Sequence, residues 1–147
     1  MRDESTKPRI VLDTKPLIKL FAREEGWENV QEISSKVEAK EIEAAISVVT
    51  LTEIYYKYLQ EKRSDLAKAR TEDLRYAAYL RKLEINEEVA VRAGEFKGKY
   101  DVSIADSFIA AAAYLEGAIV VSDDPDFKRI PEVKAFTEEE LVSHLAR

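Results

Sequence analysis

Three short runs of apolar, largely β-branched residues constrain this chain more than anything else in it: IVL at 10–12, AAISVV at 44–49 and AIVV at 118–121. Runs of this length with almost no polar alternation belong to strands covered on both faces, because each face must meet apolar neighbours. Between them the period becomes helical. Trp27, Val30, Ile33 and Val37 recur at helical spacing, as do Leu51, Ile54, Tyr55, Tyr58 and Leu59, so the second strand is expected to close at Thr50 and a helix to start at Leu51.

Further along, Ser64 or Asp65 can cap a helix reaching about Arg81, and a short apolar piece follows at 83–85. Asn86 caps a helix carrying Val89, Ala93, Phe96 and Tyr100. Ser103 opens another helix that runs through Leu115 and is apolar nearly all round, which predicts burial, and Gly117 stands where a C-terminal cap would. A weak strand at 133–136 precedes a helix starting near Thr137. Strands alternating with helices imply an α/β fold with a mainly parallel central sheet and right-handed crossovers. The 147 residues carry no repeat or linker and read as one domain, 1–147, with 1–8 as a loose tail.

Composition narrows the function classes. With no cysteine there is no thiolate nucleophile, disulfide or sulfur-ligated metal. The N-terminus is charged and no run approaches the roughly 18 apolar residues of a membrane span, so a soluble, cytoplasmic protein is expected, with no membrane partner. A net charge of −6 argues against coating nucleic acid by bulk electrostatics, so such contacts have to be local. Charged residues reach 35%, beside two Asn, two Gln and one Met, a usage that resembles thermophile proteins.

Ligands of parallel sheets gather beyond the carboxyl ends of the strands. Asp13 ends the first run, Glu53 follows the second, and Asp123, Asp124 and Asp126 follow the third. Asp106 lies in the first turn of the buried helix, where a carboxylate costs several kcal/mol unless paired or metal-bound. Glu53 stands about 200° from Leu51 at roughly 100° per residue, off the apolar face and free to point to the same edge. With no Cys and one His, an all-oxygen donor set suits Mg²⁺ or Mn²⁺. Plainer readings exist for each acid alone: Thr50 with Glu53 and Ser103 with Asp106 have capping-box spacing, Asp13 can cap a helix from Pro16, and the acids around Pro125 can be turn residues. None of these explains why all of them fall on one edge.

Together IVLDT, TLTEIYY, SIADSFIAAAAYLEGA and VVSDDPDF, in this order and spacing, resemble the PIN-domain family, and more narrowly its VapC-type toxin ribonucleases, over about 10–136. The resemblance implies a three-layer α/β/α sandwich and Mg²⁺- or Mn²⁺-dependent hydrolysis of RNA. It places catalytic acids at Asp13, Glu53, Asp106 and Asp124, with Asp126 as a further candidate for the fourth. Asp13, Asp106 and Asp124 become metal ligands, and Thr14 and Ser122 support ligands or water. Lys15 stands where many members have a small polar residue, and its ammonium could hold a phosphate or compete with a metal. A small antitoxin partner and a homodimer are also implied.

Arg9, Lys15, Lys97, Lys99, Lys128 and Arg129 are the basic residues nearest these motifs, and each is by default a solvated charge. Tyr55 and Tyr58 fall on the apolar stripe, while Tyr56, Tyr76 and Tyr79 could stack on bases or pack at an interface. His144 reads as a surface residue. Two alternatives stay open: a silent α/β module that binds RNA or protein, and an aspartyl-nucleophile phosphatase, whose second acid would be needed where Lys15 stands.

Overall fold

The computed structural model describes residues 7–147, so most of the expected N-terminal tail lies outside the described residues. Within them the order is β1 (Arg9–Leu12), α1 (Thr14–Ala22), α2 (Trp27–Glu38), β2 (Glu43–Ser47), α3 (Val48–Gln60), α4 (Ser64–Arg75), β3 (Leu80–Leu83), α5 (Glu87–Lys99), α6 (Ile104–Glu116), β4 (Ile119–Val121), a 3-10 turn (Pro125–Arg129), β5 (Ala135–Phe136) and α7 (Glu138–Leu145). The five strands form one parallel sheet in the order β3-β2-β1-β4-β5. Pro8, expected in the tail, already belongs to the sheet region, since its carbonyl accepts from Glu43 N at 3.0 Å.

Alternation along the strands sorts side chains into two cores. Val11, in register with Ala45 and Val120, faces α5 and α6, where it meets Phe96, Ile109 and the alanines 110–113. Ile10, Leu12, Ala44, Ile46 and Val121 face α1, α2, α3, α4 and α7 through Leu17, Ile33, Ile54, Leu74 and Leu141. The result is the expected three-layer α/β/α sandwich. Each fully buried Ile, Leu, Val or Phe contributes about 1.5–3 kcal/mol relative to exposure. Because its buried face is largely alanine, α6 lies close under β1, β2 and β4, which carries its N-terminus to the edge where β1 and β4 end.

Several boundaries differ from expectation. The second strand closes at Ser47, and Val48, Val49 and Thr50 are already helical because the Ser47 hydroxyl accepts from Val49 N at 3.2 Å and caps α3. The helix expected up to Arg81 stops at Arg75, and the apolar piece expected at 83–85 is β3, Leu80–Leu83, paired with β2. Leu80 and Leu83 mimic a helical i, i+3 pair; in the strand they enter opposite cores, Leu80 on the α4 side and Leu83 on the α5 side. Neither Ser64 nor Asp65 caps α4, whose cap position is Arg63. Trp27 stays half-exposed with the Arg23 guanidinium 4.6 Å over its ring. The caps at Asn86, Ser103, Gly117 and Thr137 stand as expected.

Candidate active site

The chain runs from β1 outward to β2 and β3, then returns to the other side of β1 for β4 and β5. The switch point therefore lies between β1 and β4, where diverging connections leave a crevice at the carboxyl edge. Asp13 follows β1 there. Its amide donates to Val121 O at 3.1 Å, and its Oδ2 accepts from the Ser122 hydroxyl at 2.6 Å, so the ends of both strands hold one carboxylate. Asp13 occupies the cap position of α1, but its side chain makes no capping bond.

Asp106 arrives from below. Ser103 caps α6 by accepting from Asp106 N at 3.1 Å, half of a capping box. The return bond is missing, because Ser103 N donates instead to Asp126 Oδ2 at 3.1 Å. Asp126 thus takes over the cap and leaves the Asp106 carboxylate to face the crevice. On the loop after β4, Ser122 also receives Asp124 N at 3.0 Å, and Asp124 Oδ1 receives Asp126 N at 3.0 Å. This folded loop turns Asp124 toward the other two acids. Oxygens of Asp13, Asp106 and Asp124 all lie within 4.8 Å of one another.

Glu53 comes in from α3 and does not join that triad. Its Oε1 accepts the Thr14 hydroxyl at 2.6 Å, with the buried Thr50 hydroxyl 3.1 Å from the same oxygen of Thr14. A capping role for Glu53 is ruled out, since Thr50 lies inside α3 and the cap is Ser47. Glu53 thus meets Thr14 next to Asp13, at the carboxyl end of β1, and lines the same cleft.

Charge is distributed unevenly over this cluster. Asp124 pairs with Lys15 Nζ at 3.3 Å, and Asp126 with Arg129 at 2.6 Å. Asp13 and Asp106, only 2% and 7% exposed, form no salt bridge among the described residues. Burial pushes Asp13 up to about 6 against the Ser122 and Thr14 hydrogen bonds, with Glu53 and Asp124 raising it further. Burial, then contact with Asp126, then the charges of Asp13 and Asp124 drive Asp106 well above the carboxylate range. Partial burial works against the Lys15 charge, but Asp124, Asp123 and Asp13 hold it above its ordinary value.

The donor set fits a hard divalent cation. Mg²⁺ binds oxygens at about 2.0–2.1 Å, so opposed ligands stand roughly 4 Å apart, within reach of three carboxylates this close. Two of them are buried without a cationic partner, the arrangement that a bound ion compensates.

The acids and Lys15 line an open cleft of about 320 Å³, whose outer wall is Ile18 with Tyr56, Lys57 and Gln60. Sequence reasoning missed Lys57 and Gln60 as cleft residues; the signal was their i+4 and i+7 spacing from Glu53 on α3. Other candidates are placed elsewhere. Arg9 pairs with Glu43 at the opposite edge of the sheet, Lys97 donates to Val102 O, and Lys128 pairs with Glu140. His144 packs on the Phe136 ring, 5.2 Å between centroids, away from the cleft. Tyr58 is core, whereas Tyr76 and Tyr79 are exposed.

A family model described as PIN domain matches residues 10–133. Among curated proteins no match is found. Solved structures of similar fold include DNA-bound VapBC from Salmonella typhimurium, 21% identical with a TM-score of 0.72 over 89% of this chain and 98% of that one. VapBC2 from Rickettsia felis bound to a promoter DNA fragment is 18% identical, TM-score 0.71, over 88% and 98%. VapBC-5 of Mycobacterium tuberculosis, a member of the VapBC family of toxin-antitoxin systems, is 22% identical, TM-score 0.59, over 88% and 98%.

Proposed function

The chain belongs to the PIN-domain family, and from that premise we propose that it is a divalent-metal-dependent ribonuclease, the VapC-type toxin of a toxin–antitoxin pair. The observation that carries this reading is the convergence of Asp13, Asp106 and Asp124 within 4.8 Å at the switch point, with two of the three buried and unpaired. Family membership stands against the aspartyl-phosphatase alternative, and Lys15 occupies the position of the acid that such chemistry needs.

Asp13, Asp106 and Asp124 would hold an Mg²⁺ or Mn²⁺ ion, which when bound lowers the pKa of water and offsets charge on phosphate oxygens. The chain's own groups supply the rest. Ser122 fixes the rotamer of Asp13, and Asp126 keeps Asp106 from turning back onto its helix cap. Thr14 holds Glu53 at the rim, where its free oxygen can orient an attacking water and accept its proton. Lys15 places positive charge in the cleft for the RNA backbone, which a chain of net charge −6 needs locally, while Lys57 at the outer wall is paired with Glu61 at 2.9 Å.

The same reading includes a small antitoxin and a second copy as partners. Its support is the set of VapBC complexes that share the fold, together with exposed Leu59 on α3 and exposed Tyr76 and Tyr79 just after α4. No helix among the described residues is long and apolar enough to cross a membrane.

The deciding experiment is cleavage of a labelled structured RNA with Mn²⁺, with EDTA, and with an Asp106→Asn variant purified identically. Losing an outer partner of a metal ligand typically costs about 10–100-fold, so losing a direct ligand should cost at least about 100-fold. Equal cleavage by both proteins, or cleavage in EDTA, would refute the proposal and favour the silent-module alternative.

A further inference from the structure

The acid cluster has two unlike ends. At one end every carboxylate oxygen is engaged: Asp124 Oδ1 accepts from Asp126 N and Oδ2 pairs with Lys15, while Asp126 Oδ2 accepts from Ser103 N and Oδ1 pairs with Arg129. At the other end neither Asp13 nor Asp106 forms a salt bridge among the described residues, and the Asp106 carboxylate accepts no N–H or O–H hydrogen bond there. Of these five carboxylates, counting Glu53, two are paired with cations, Asp124 with Lys15 and Asp126 with Arg129. Lys15 gets there because it is the second residue of α1, directly after Asp13, so its position is fixed by the same turn that fixes that acid.

Paired metal ions in phosphodiester-cleaving sites stand about 3.5–4 Å apart and share ligands between them. Of the three clustered acids, a second ion would have to draw on Asp124 as well, and Asp124 Oδ2 already has an ammonium nitrogen at 3.3 Å. An ammonium is a compact point charge with three donors, able to neutralise a carboxylate and to meet a phosphate oxygen without coordination geometry. We propose that the Lys15 ammonium takes the place of a second metal ion, so that the site binds a single divalent cation through Asp13, Asp106 and Asp124 and presents Lys15, paired with Asp124, to the phosphate. This inference rests on the metal-dependent reading above and adds its stoichiometry.

The test is Mn²⁺ binding to the full chain, followed by the electron paramagnetic resonance of free Mn²⁺, for wild type, Lys15→Ser and Lys15→Arg. Lys15 is 55% exposed at its side chain, so its replacement should leave the fold intact, and circular dichroism checks this. The expected result is one Mn²⁺ per chain for wild type and Lys15→Arg, and two for Lys15→Ser. Two ions in wild type, or one in Lys15→Ser with unchanged affinity, would overturn the inference while leaving metal-dependent cleavage standing. No binding by wild type would overturn it together with the reading it rests on. The serine variant should also lose affinity for RNA in EDTA, a readout that does not depend on the ion.

Discussion

Replacing Asp13 with asparagine should stabilise the metal-free protein, although it removes a residue at the centre of the site. Asp13 is 2% exposed, and burial raises its carboxyl from the ordinary 3.8 to about 6. At about 1.4 kcal/mol per pH unit, ionising it inside the fold costs about 3 kcal/mol relative to the unfolded chain. The sign follows from the raised value: stability is fully present below pH 3.8 and falls as pH climbs through about 6. Asp106, raised for the same reason, extends the fall to more alkaline pH. An asparagine keeps an oxygen for the Ser122 hydroxyl and carries no charge to desolvate. In EDTA at pH 7.5 the variant should gain up to about 3 kcal/mol in urea unfolding, or roughly 6–12 °C in melting temperature for a chain of this size. At pH 4 the two proteins should nearly coincide. With Mn²⁺ the order should narrow or invert, because the ion stabilises only a fold that binds it. A variant no more stable than wild type at pH 7.5, or a gain that persists undiminished at pH 4, would refute the assignment of a desolvated, unpaired carboxylate at this position.

Two further substitutions probe the supports of the site. Thr14→Val removes the hydroxyl that donates to Glu53 at 2.6 Å and leaves the buried Thr50 without that partner. It should cost about 1–2 kcal/mol in chemical denaturation and slow RNA cleavage, while Mn²⁺ affinity stays near wild type because Glu53 lies outside the triad. Weakened Mn²⁺ binding would instead make Glu53 a ligand. Lys19 ties the acidic loop to the C-terminal helix through Asp123 at 2.6 Å and Glu138 at 2.8 Å, the latter side chain only 4% exposed. Lys19→Met strands that buried glutamate and should cost about 3–5 kcal/mol by urea unfolding, whereas Lys19→Arg should restore most of it. A loss under about 1 kcal/mol would show that the pair is solvated rather than structural.

Much of this protein was legible in its sequence because local chemistry decided it. Runs without polar alternation marked β1 and β4, the apolar-all-round stretch marked the buried α6, and Asn86, Ser103 and Thr137 marked helix starts through hydrogen bonds within a few residues of themselves. That the acids share one edge also followed, since a parallel sheet sends every strand end the same way. Other matters could be settled only by residues distant in the chain. Leu80 reads as the end of a helix and Leu83 as the start of a separate piece, but pairing with β2 joins them in β3 and places them in opposite cores. Ser103 and Asp106 have the spacing of a capping box, but Asp126, 23 residues beyond Ser103, takes one of its bonds. The distinction between Asp124 facing the triad and Asp126 bracing α6, and the pairing of Lys15 with Asp124, depend on how the loop after β4 folds back against α1 and α6. Periodicity and caps are short-range and so are written in the sequence; which oxygen has a partner is set by desolvation and contact across the sheet, and only the tertiary structure decides it.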